Sequence, residues 1–125
     1  MGYKKMKKNL GFADYALSSS LKHNRSLKLM EKIADSIDWN RIDAVLMNNY
    51  TVGTSAEGAD AYPPLLLFKC LMLQKWFRIN SDPELENQIN DRLSFKKFLG
   101  LSFRKPSPDH STFSRFRSRL SKCQY

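Results

Sequence analysis

The feature that most constrains the fold is an apolar segment that begins at Tyr62-Pro63-Pro64 and runs to Phe77. Proline is tolerated in the first turn of a helix, where its missing N–H would have no intrahelical partner, so the prolines predict a helix start. Large apolar residues then lie on every side of such a helix: Leu65, Leu66, Leu67, Phe68, Leu71, Met72, Leu73, Trp76 and Phe77. A helix with this pattern belongs at the centre of a hydrophobic core.

Apolar residues at helical spacing predict two helices before this segment. The first begins after Ser26, which we interpret as its N-cap, and the second begins after Asp38 and extends to about Tyr50. Residues 51–61 contain two glycines and few bulky side chains, which is typical of a loop. Residues 1–25 are polar and rich in lysine and serine, so we interpret them as a flexible basic arm, with a short helix there as the alternative.

Three more helices are predicted after the apolar segment. The sequence Ser-Asp-Pro-Glu at residues 81–84 matches a capping box and begins a helix that extends to about Leu93. Ser94 is expected to cap a short helix, which Gly100 ends by adopting the left-handed conformation. Asp109 is expected to cap the last helix. The apolar stripe of that helix, which we expect to pack in the core, consists of Phe113, Phe116 and Leu120.

Together these patterns predict an all-α fold, because no strand-like alternation of polar and apolar residues occurs. At 125 residues the chain fits one domain, which we place at residues 26–125 after the arm at residues 1–25. We expect a compact bundle of about five to six helices, with a C-terminal part like a helix-turn-helix. The loop before the last helix is longer than the usual turn of about 3 to 4 residues.

The charge of the chain favours a polyanionic partner. Lysine and arginine number 21 against 12 acidic residues, which gives a formal net charge of +9. Residues 1–60 contain nine basic and seven acidic residues, whereas residues 61–125 contain twelve basic and five acidic residues. This clustering in the C-terminal half favours a nucleic-acid partner over a surface that is charged only for solubility.

The outward face of the last helix combines short hydroxyl side chains with arginines. Hydroxyls allow close approach to a phosphate or a base edge, and arginine can bond guanine or grip phosphate. The predicted DNA-binding residues of this helix are His110, Ser111, Ser114, Arg115, Arg117, Ser118 and Arg119. Additional phosphate contacts are predicted for Lys96, Lys97, Arg104 and Lys105. The alternative for each of these four is a solvated surface charge.

Catalytic, metal and membrane functions have no support in the sequence. Cys70 and Cys123 form no CxxC pair, so neither a disulfide framework nor a zinc site is indicated, and we expect Cys70 to be a buried thiol. We therefore expect no metal, no cofactor and no small-molecule substrate. The apolar segment is too short to span a bilayer and no signal peptide is evident, so we expect a cytoplasmic protein.

Three acidic residues, Asp82, Glu84 and Glu86, lie in the first turn of a predicted helix, where their negative charge interacts favourably with the helix macrodipole. We favour this role over the binding of two catalytic metal ions. Likewise His23 and His110 have no serine or cysteine partner at motif spacing, so nucleophilic catalysis is not indicated.

Four ordered blocks resemble the N-terminal domain of InsH-like bacterial transposases of the insertion-sequence-five type. They are YPPLLLFKCLMLQKW at residues 62–76, SDPELE at 81–86, RLSFKKFLGL at 92–101 and PDHSTFSRFRSRL at 108–120. The sequence Ile-Asp-Trp at residues 37–39 is similar to the segment that precedes these blocks in the family.

The resemblance implies a domain that contacts the terminal inverted repeats of a transposable element, ahead of a ribonuclease-H-like domain in which three acidic residues hold two divalent metals. Because this sequence stops at Tyr125, where the family's chain would continue toward the catalytic domain, we expect a truncated product that binds double-stranded DNA and is not an enzyme. One alternative is an oligomerisation or inhibitory module that mixes with full-length transposase through residues 65–77 and Trp39. The other is a remnant without a selected role.

Overall fold

Helices account for most of residues 12–49 and 62–122, the part of the chain that the computed structural model describes. The seven helices are α1 (Phe12–Ser20), α2 (Arg25–Asp35), α3 (Trp39–Asn49), α4 (Pro64–Trp76), α5 (Asp82–Asp91), α6 (Leu93–Leu99) and α7 (His110–Lys122). These ranges contain no strand, which confirms the all-α prediction. The loop predicted over residues 51–61, the lysines at residues 4–8 and Cys123 lie outside the described residues.

Helix α4 lies at the centre of the core, as its apolar pattern predicts. Pro63 is the N-cap and Pro64 the first helical residue, so both prolines occupy positions that need no N–H. Helices α3, α6 and α7 all pack against α4. The Cys70 and Leu73 side chains are fully buried, and burial raises the pKa of the Cys70 thiol well above its ordinary range, so Cys70 is an inert core residue.

The side of α4 that carries Lys69 is covered by aromatic residues of other helices. The Phe98 ring lies edge-on to both tryptophans, with ring centroids 6.4 Å from Trp39 and 5.7 Å from Trp76. The Lys69 ammonium lies 4.7 Å from the Trp39 ring centroid, and burial lowers the pKa of Lys69. The Trp39 indole N–H donates to the Ala34 carbonyl at 3.1 Å. Trp39, which the alternative hypothesis placed in a contact between subunits, therefore packs within its own chain.

Two predicted N-caps are wrong. Asn24, not Ser26, caps α2, and its Oδ1 accepts from the Leu27 N–H at 2.9 Å. The Ser26 hydroxyl instead accepts from Arg92 at 3.3 Å, a contact across 66 residues. Helix α6 begins at Leu93, one residue before Ser94, whose side chain is buried rather than at a helix end.

Three other predicted caps, Asp38, Ser81 and Gly100, are confirmed. Asp38 accepts from the Arg41 N–H at 3.2 Å at the start of α3, and Ser81 accepts from the Glu84 N–H at 3.2 Å at the start of α5. Gly100 ends α6 with φ 77°, in the left-handed conformation that glycine adopts without a Cβ clash.

Helices α5 and α7 pack together and run antiparallel. Asp82, at the start of α5, bonds Arg117 in the second half of α7, whereas Asn90, near the end of α5, bonds Ser107 just before α7. The predicted stripe of α7 is confirmed, since Phe113 and Phe116 are fully buried and Leu120 packs against the core.

Part of the segment interpreted as an arm is folded. Phe12–Ser20 forms the short helix that the sequence left as an alternative, and Leu21 after it is buried in the core. Phe12 and Tyr15 of α1 are exposed. No helix of the described ranges has both the length and the apolar character needed to cross a bilayer.

Replacing a core leucine should destabilise the fold strongly. We expect Leu73→Ala to lower the free energy of unfolding by about 2 to 5 kcal/mol, because it removes fully buried methyl groups and leaves a cavity. The matched control is Leu29→Ala on α2, whose side chain is 54% exposed and should change stability by less than about 0.5 kcal/mol. Urea denaturation followed by circular dichroism measures both, and equal effects would contradict the central position of α4.

Candidate nucleic-acid interface

Helix α7 presents a broad exposed face because its apolar stripe is buried. With about 3.6 residues per turn, burial of Phe113 and Phe116 turns the residues between them outward. The predicted residues that this face carries are Ser111, which is partly buried, and Ser114, Arg115, Ser118 and Arg119, which are exposed. The structure therefore brings five of the seven predicted α7 residues to one face.

Arg115 and Arg119 are two exposed basic residues of this face. Neither has an ion-pair partner among the residues described, and Arg115 only donates to the Thr112 hydroxyl at 3.4 Å. They lie four residues apart, which places them on successive turns of the helix. Their positive potential is therefore directed to solvent rather than to a neighbouring carboxylate.

Arg117, also among the predicted DNA-binding residues, forms an ion pair within the protein. Its guanidinium donates to both oxygens of Asp82, at 3.1 and 2.9 Å, and to the Gln74 Oε1 at 2.7 Å. Gln74 in turn donates to Asp82 at 3.1 Å, so the three side chains form a closed network. The hydrogen bonds from Arg117 lower the pKa of Asp82 and those to Asp82 raise the pKa of Arg117. Arg117 thus joins α7 to α4 and α5.

Carboxylates surround the first turn of α7. The His110 N–H donates to the Glu86 Oε1 at 2.8 Å, and the His110 Nδ1 lies 3.1 Å from the same oxygen. Asp109 accepts from the Ser111 N–H at 3.2 Å and from the Ser111 hydroxyl, and these bonds lower the pKa of Asp109. A free helix N-terminus attracts phosphate, but here two acidic side chains already occupy it. His110 and Ser111 are therefore poorly placed to receive a phosphate.

The same three side chains are the group of potential metal ligands in the described part of the chain. Glu86, Asp109 and His110 offer ligand atoms that all lie within 4.8 Å of one another. Asp109 and His110 are exposed, and each carboxylate already accepts a backbone N–H at the start of α7. Helix capping accounts for this arrangement, so we assign no metal to it.

Lys96, for which a phosphate contact was predicted, is buried rather than exposed on the surface. Its side chain is only 4% exposed, and its ammonium donates to the carbonyls of Phe103, at 3.1 Å, and Lys105. Burial lowers the pKa of Lys96. The next residue, Lys97, is partly exposed and lines a shallow cavity with Lys22 and Glu31.

Arg104 and Lys105 are exposed on the loop that joins α6 to α7. Backbone hydrogen bonds order this loop, since the Lys105 N–H donates to the Ser102 carbonyl at 2.9 Å. Asn90 of α5 accepts from the Ser107 N–H at 2.8 Å, near the end of the loop. The loop therefore holds two exposed basic side chains in a fixed backbone conformation immediately before α7.

Sequence reasoning counted Arg92 among the basic residues but missed its contacts. The Arg92 guanidinium lies 4.9 Å from the Phe77 ring centroid and 4.1 Å from the Phe95 ring centroid, and it also bonds Ser26. The supporting roles of Gln74 and Asn90 were missed as well. No local motif reports the bonds from Arg92 to Ser26, from Arg117 to Gln74 and from Ser107 to Asn90, because these partners lie from 17 to 66 residues apart in the chain.

Comparison with protein families gives one match. Residues 17–119 match the family described as Transposase domain (DUF772). Searches of curated proteins and of solved structures gave no significant match. The match covers most of the chain and includes every candidate residue from Lys96 to Arg119. It confirms the sequence resemblance at the level of a transposase domain.

Replacing Asp82 should weaken the attachment of α7. At pH 7 we expect Asp82→Asn to lower the free energy of unfolding by about 1 kcal/mol, because Arg117 is partly solvated and screening reduces the pair's worth. The pKa of Asp82 is lowered from 3.8, so this stabilisation is fully present above the unfolded value and is lost as the pH falls through the folded one.

Urea denaturation from pH 7 to pH 3 measures the difference between the wild-type chain and the Asp82→Asn variant, which should shrink below about pH 4. The matched control is Glu84→Gln, which removes an exposed charge from the same helix turn. A pH-independent difference, or an equal effect of Glu84→Gln, would show that the ion pair does not stabilise the fold.

Proposed function

Because the chain belongs to the transposase domain family (DUF772), we propose that it binds the terminal inverted repeats of a transposable element during DNA transposition. The observation that carries this proposal is the pair of exposed arginines on α7, Arg115 and Arg119, which have no ion-pair partner among the described residues. Within the family, we propose the InsH-like, insertion-sequence-five type, on the four sequence blocks given above.

Helix α7 has the dimensions and side chains of a DNA-reading helix. Thirteen residues give a length of about 20 Å, which fits along the major groove. Ser114 and Ser118 are short enough to let the helix approach the bases, while Arg115 and Arg119 bond guanine edges or phosphates. Helices α4 and α5 pack against α7, and we propose that α5, α6 and α7 form a variant of the helix-turn-helix with a longer connecting loop.

The polarity of α7 supports contact through its middle and C-terminal part. Glu86 and Asp109 make the first turn acidic, whereas Arg115 and Arg119 follow on later turns. Lys97, Arg104 and Lys105 are then proposed to hold phosphates beside the groove and fix the register of the protein on the duplex. The net charge of +9 supplies the long-range attraction for such a complex.

We propose no strand-transfer chemistry for this chain. Two-metal catalysis needs carboxylates that converge on ions about 3.5 to 4 Å apart. The carboxylates beside α7 are already engaged, Asp82 with Arg117 and Gln74, and Glu86 and Asp109 with backbone N–H groups. Their contacts favour a role in positioning α7.

Removing the two arginines should weaken DNA binding and its dependence on salt. We expect Arg115→Gln/Arg119→Gln to reduce affinity for a terminal-repeat duplex at least tenfold. The slope of log affinity against log salt should become shallower by about 1.8, because about 0.9 is lost with each phosphate contact. Fluorescence anisotropy at several salt concentrations, with the terminal repeat and a scrambled duplex, measures both quantities.

The matched control is Arg25→Gln/Arg41→Gln, which removes the same charge from exposed positions outside the candidate set. This control should leave the salt slope nearly unchanged. An equal loss of DNA affinity in both double variants would show that the loss depends on net charge alone and not on the position of the arginines. No binding by the wild-type chain at low salt would refute the proposal, and equal affinity for the scrambled duplex would exclude repeat recognition.

A further inference from the structure

A buried ammonium lies beneath the basic loop that leads into α7. The Lys96 side chain is 4% exposed, and its Nζ donates to two loop carbonyls, those of Phe103 and Lys105. These two residues flank Arg104, so both hydrogen bonds hold the backbone on either side of that exposed arginine. The contact therefore acts at the point of the loop where the candidate phosphate ligands lie.

Packing alone does not explain a lysine at this position. Burial of an ammonium is unfavourable unless hydrogen bonds replace its hydration, and an apolar side chain such as methionine would fill a similar volume. Within the described ranges no carboxylate lies at ion-pair distance from Lys96. The partners of the ammonium are neutral backbone carbonyls. What the charged group provides at this position is therefore the ordering of the loop.

Other hydrogen bonds also hold this loop, at its centre as well as at its ends: the Lys105 N–H donates to the Ser102 carbonyl at 2.9 Å, and the Arg104 N–H donates to the Ser102 hydroxyl at 3.4 Å. At its start, the Leu101 N–H donates to the Lys96 carbonyl at 2.9 Å, and near its end the Ser107 N–H donates to Asn90 at 2.8 Å. The bonds to Ser102 are local and shape the turn, but they do not attach it to α6. The ammonium of Lys96, on α6, attaches that turn to the helix through the carbonyls of Phe103 and Lys105.

We infer that Lys96 is a positioning residue. It does not contact DNA itself but orders the loop so that Arg104 and Lys105 can contact DNA phosphates. This inference rests on the proposed DNA binding. A preordered loop loses less conformational entropy on binding, so the affinity gained through Arg104 and Lys105 depends on Lys96. In Lys96→Met the two basic side chains remain, but their backbone is no longer held.

A double-mutant cycle separates positioning from general destabilisation. We expect Lys96→Met to weaken DNA binding by anisotropy about as much as Arg104→Gln/Lys105→Gln does, roughly tenfold, with a similarly shallower salt slope. Added to that loop variant, Lys96→Met should have no further effect on affinity. A further loss in the loop background, or a normal salt slope in the single variant, would overturn the inference.

The matched control is Lys69→Met, which removes another partly buried ammonium from a site outside the candidate interface. It should leave DNA affinity unchanged at temperatures where the variant is folded. If Lys96→Met does not fold, Lys96→Gln keeps amide donors and should give an intermediate loss of affinity.

Loop order can also be measured without DNA. Hydrogen exchange at residues 102–108, and tryptic cleavage after Arg104, should be faster in Lys96→Met than in wild type or Lys69→Met. Unchanged exchange and cleavage would overturn the inference even if affinity fell. A wild-type chain that fails to bind DNA would refute the proposed function, whereas the exchange rates would still decide whether Lys96 holds the loop.

Discussion

Burial of Phe113 and Phe116 is the constraint on which the candidate interface depends. These two rings are fully buried where α7 packs on α4 and α5, and a helix has no freedom to rotate once such a stripe is fixed. Arg115 and Arg119 are therefore exposed as a consequence of core packing. The position of α4 matters for the same reason, since α3, α6 and α7 all pack against it.

The basic residues of the C-terminal half fall into two groups, those that make contacts within the protein and those that are exposed to solvent. Arg92 and Lys96 are used inside the molecule, against aromatic rings and loop carbonyls, and Arg117 ties helices together through Asp82. Arg115 and Arg119 remain directed to solvent. A net charge counted from the sequence cannot separate these groups, because exposure and partners depend on the tertiary structure.

The sequence predicted the features that depend on neighbouring residues, such as helices and their caps, but not the contacts between residues far apart in the chain. Helix periodicity and the caps at Asp38, Ser81 and Gly100 were confirmed, because each depends on residues within one turn. The assignment of Ser26 as an N-cap was wrong because an equally good cap, Asn24, lies two residues earlier. Lys96 could not be distinguished from Lys97, its neighbour, because only the rotation of α6 against the loop determines which of the two is buried.

Because the first turn of α7 is acidic, the electrostatic potential at the surface changes along the helix. Glu86 and Asp109 lie at its amino end and the arginines on later turns, an order that the helix macrodipole itself favours. The stability of the helix and its surface potential thus select the same arrangement of charges. Any polyanion lying along α7 would meet a potential that becomes more positive from the amino end toward the later turns, so its charge would be attracted most strongly to the carboxyl-terminal part of the helix.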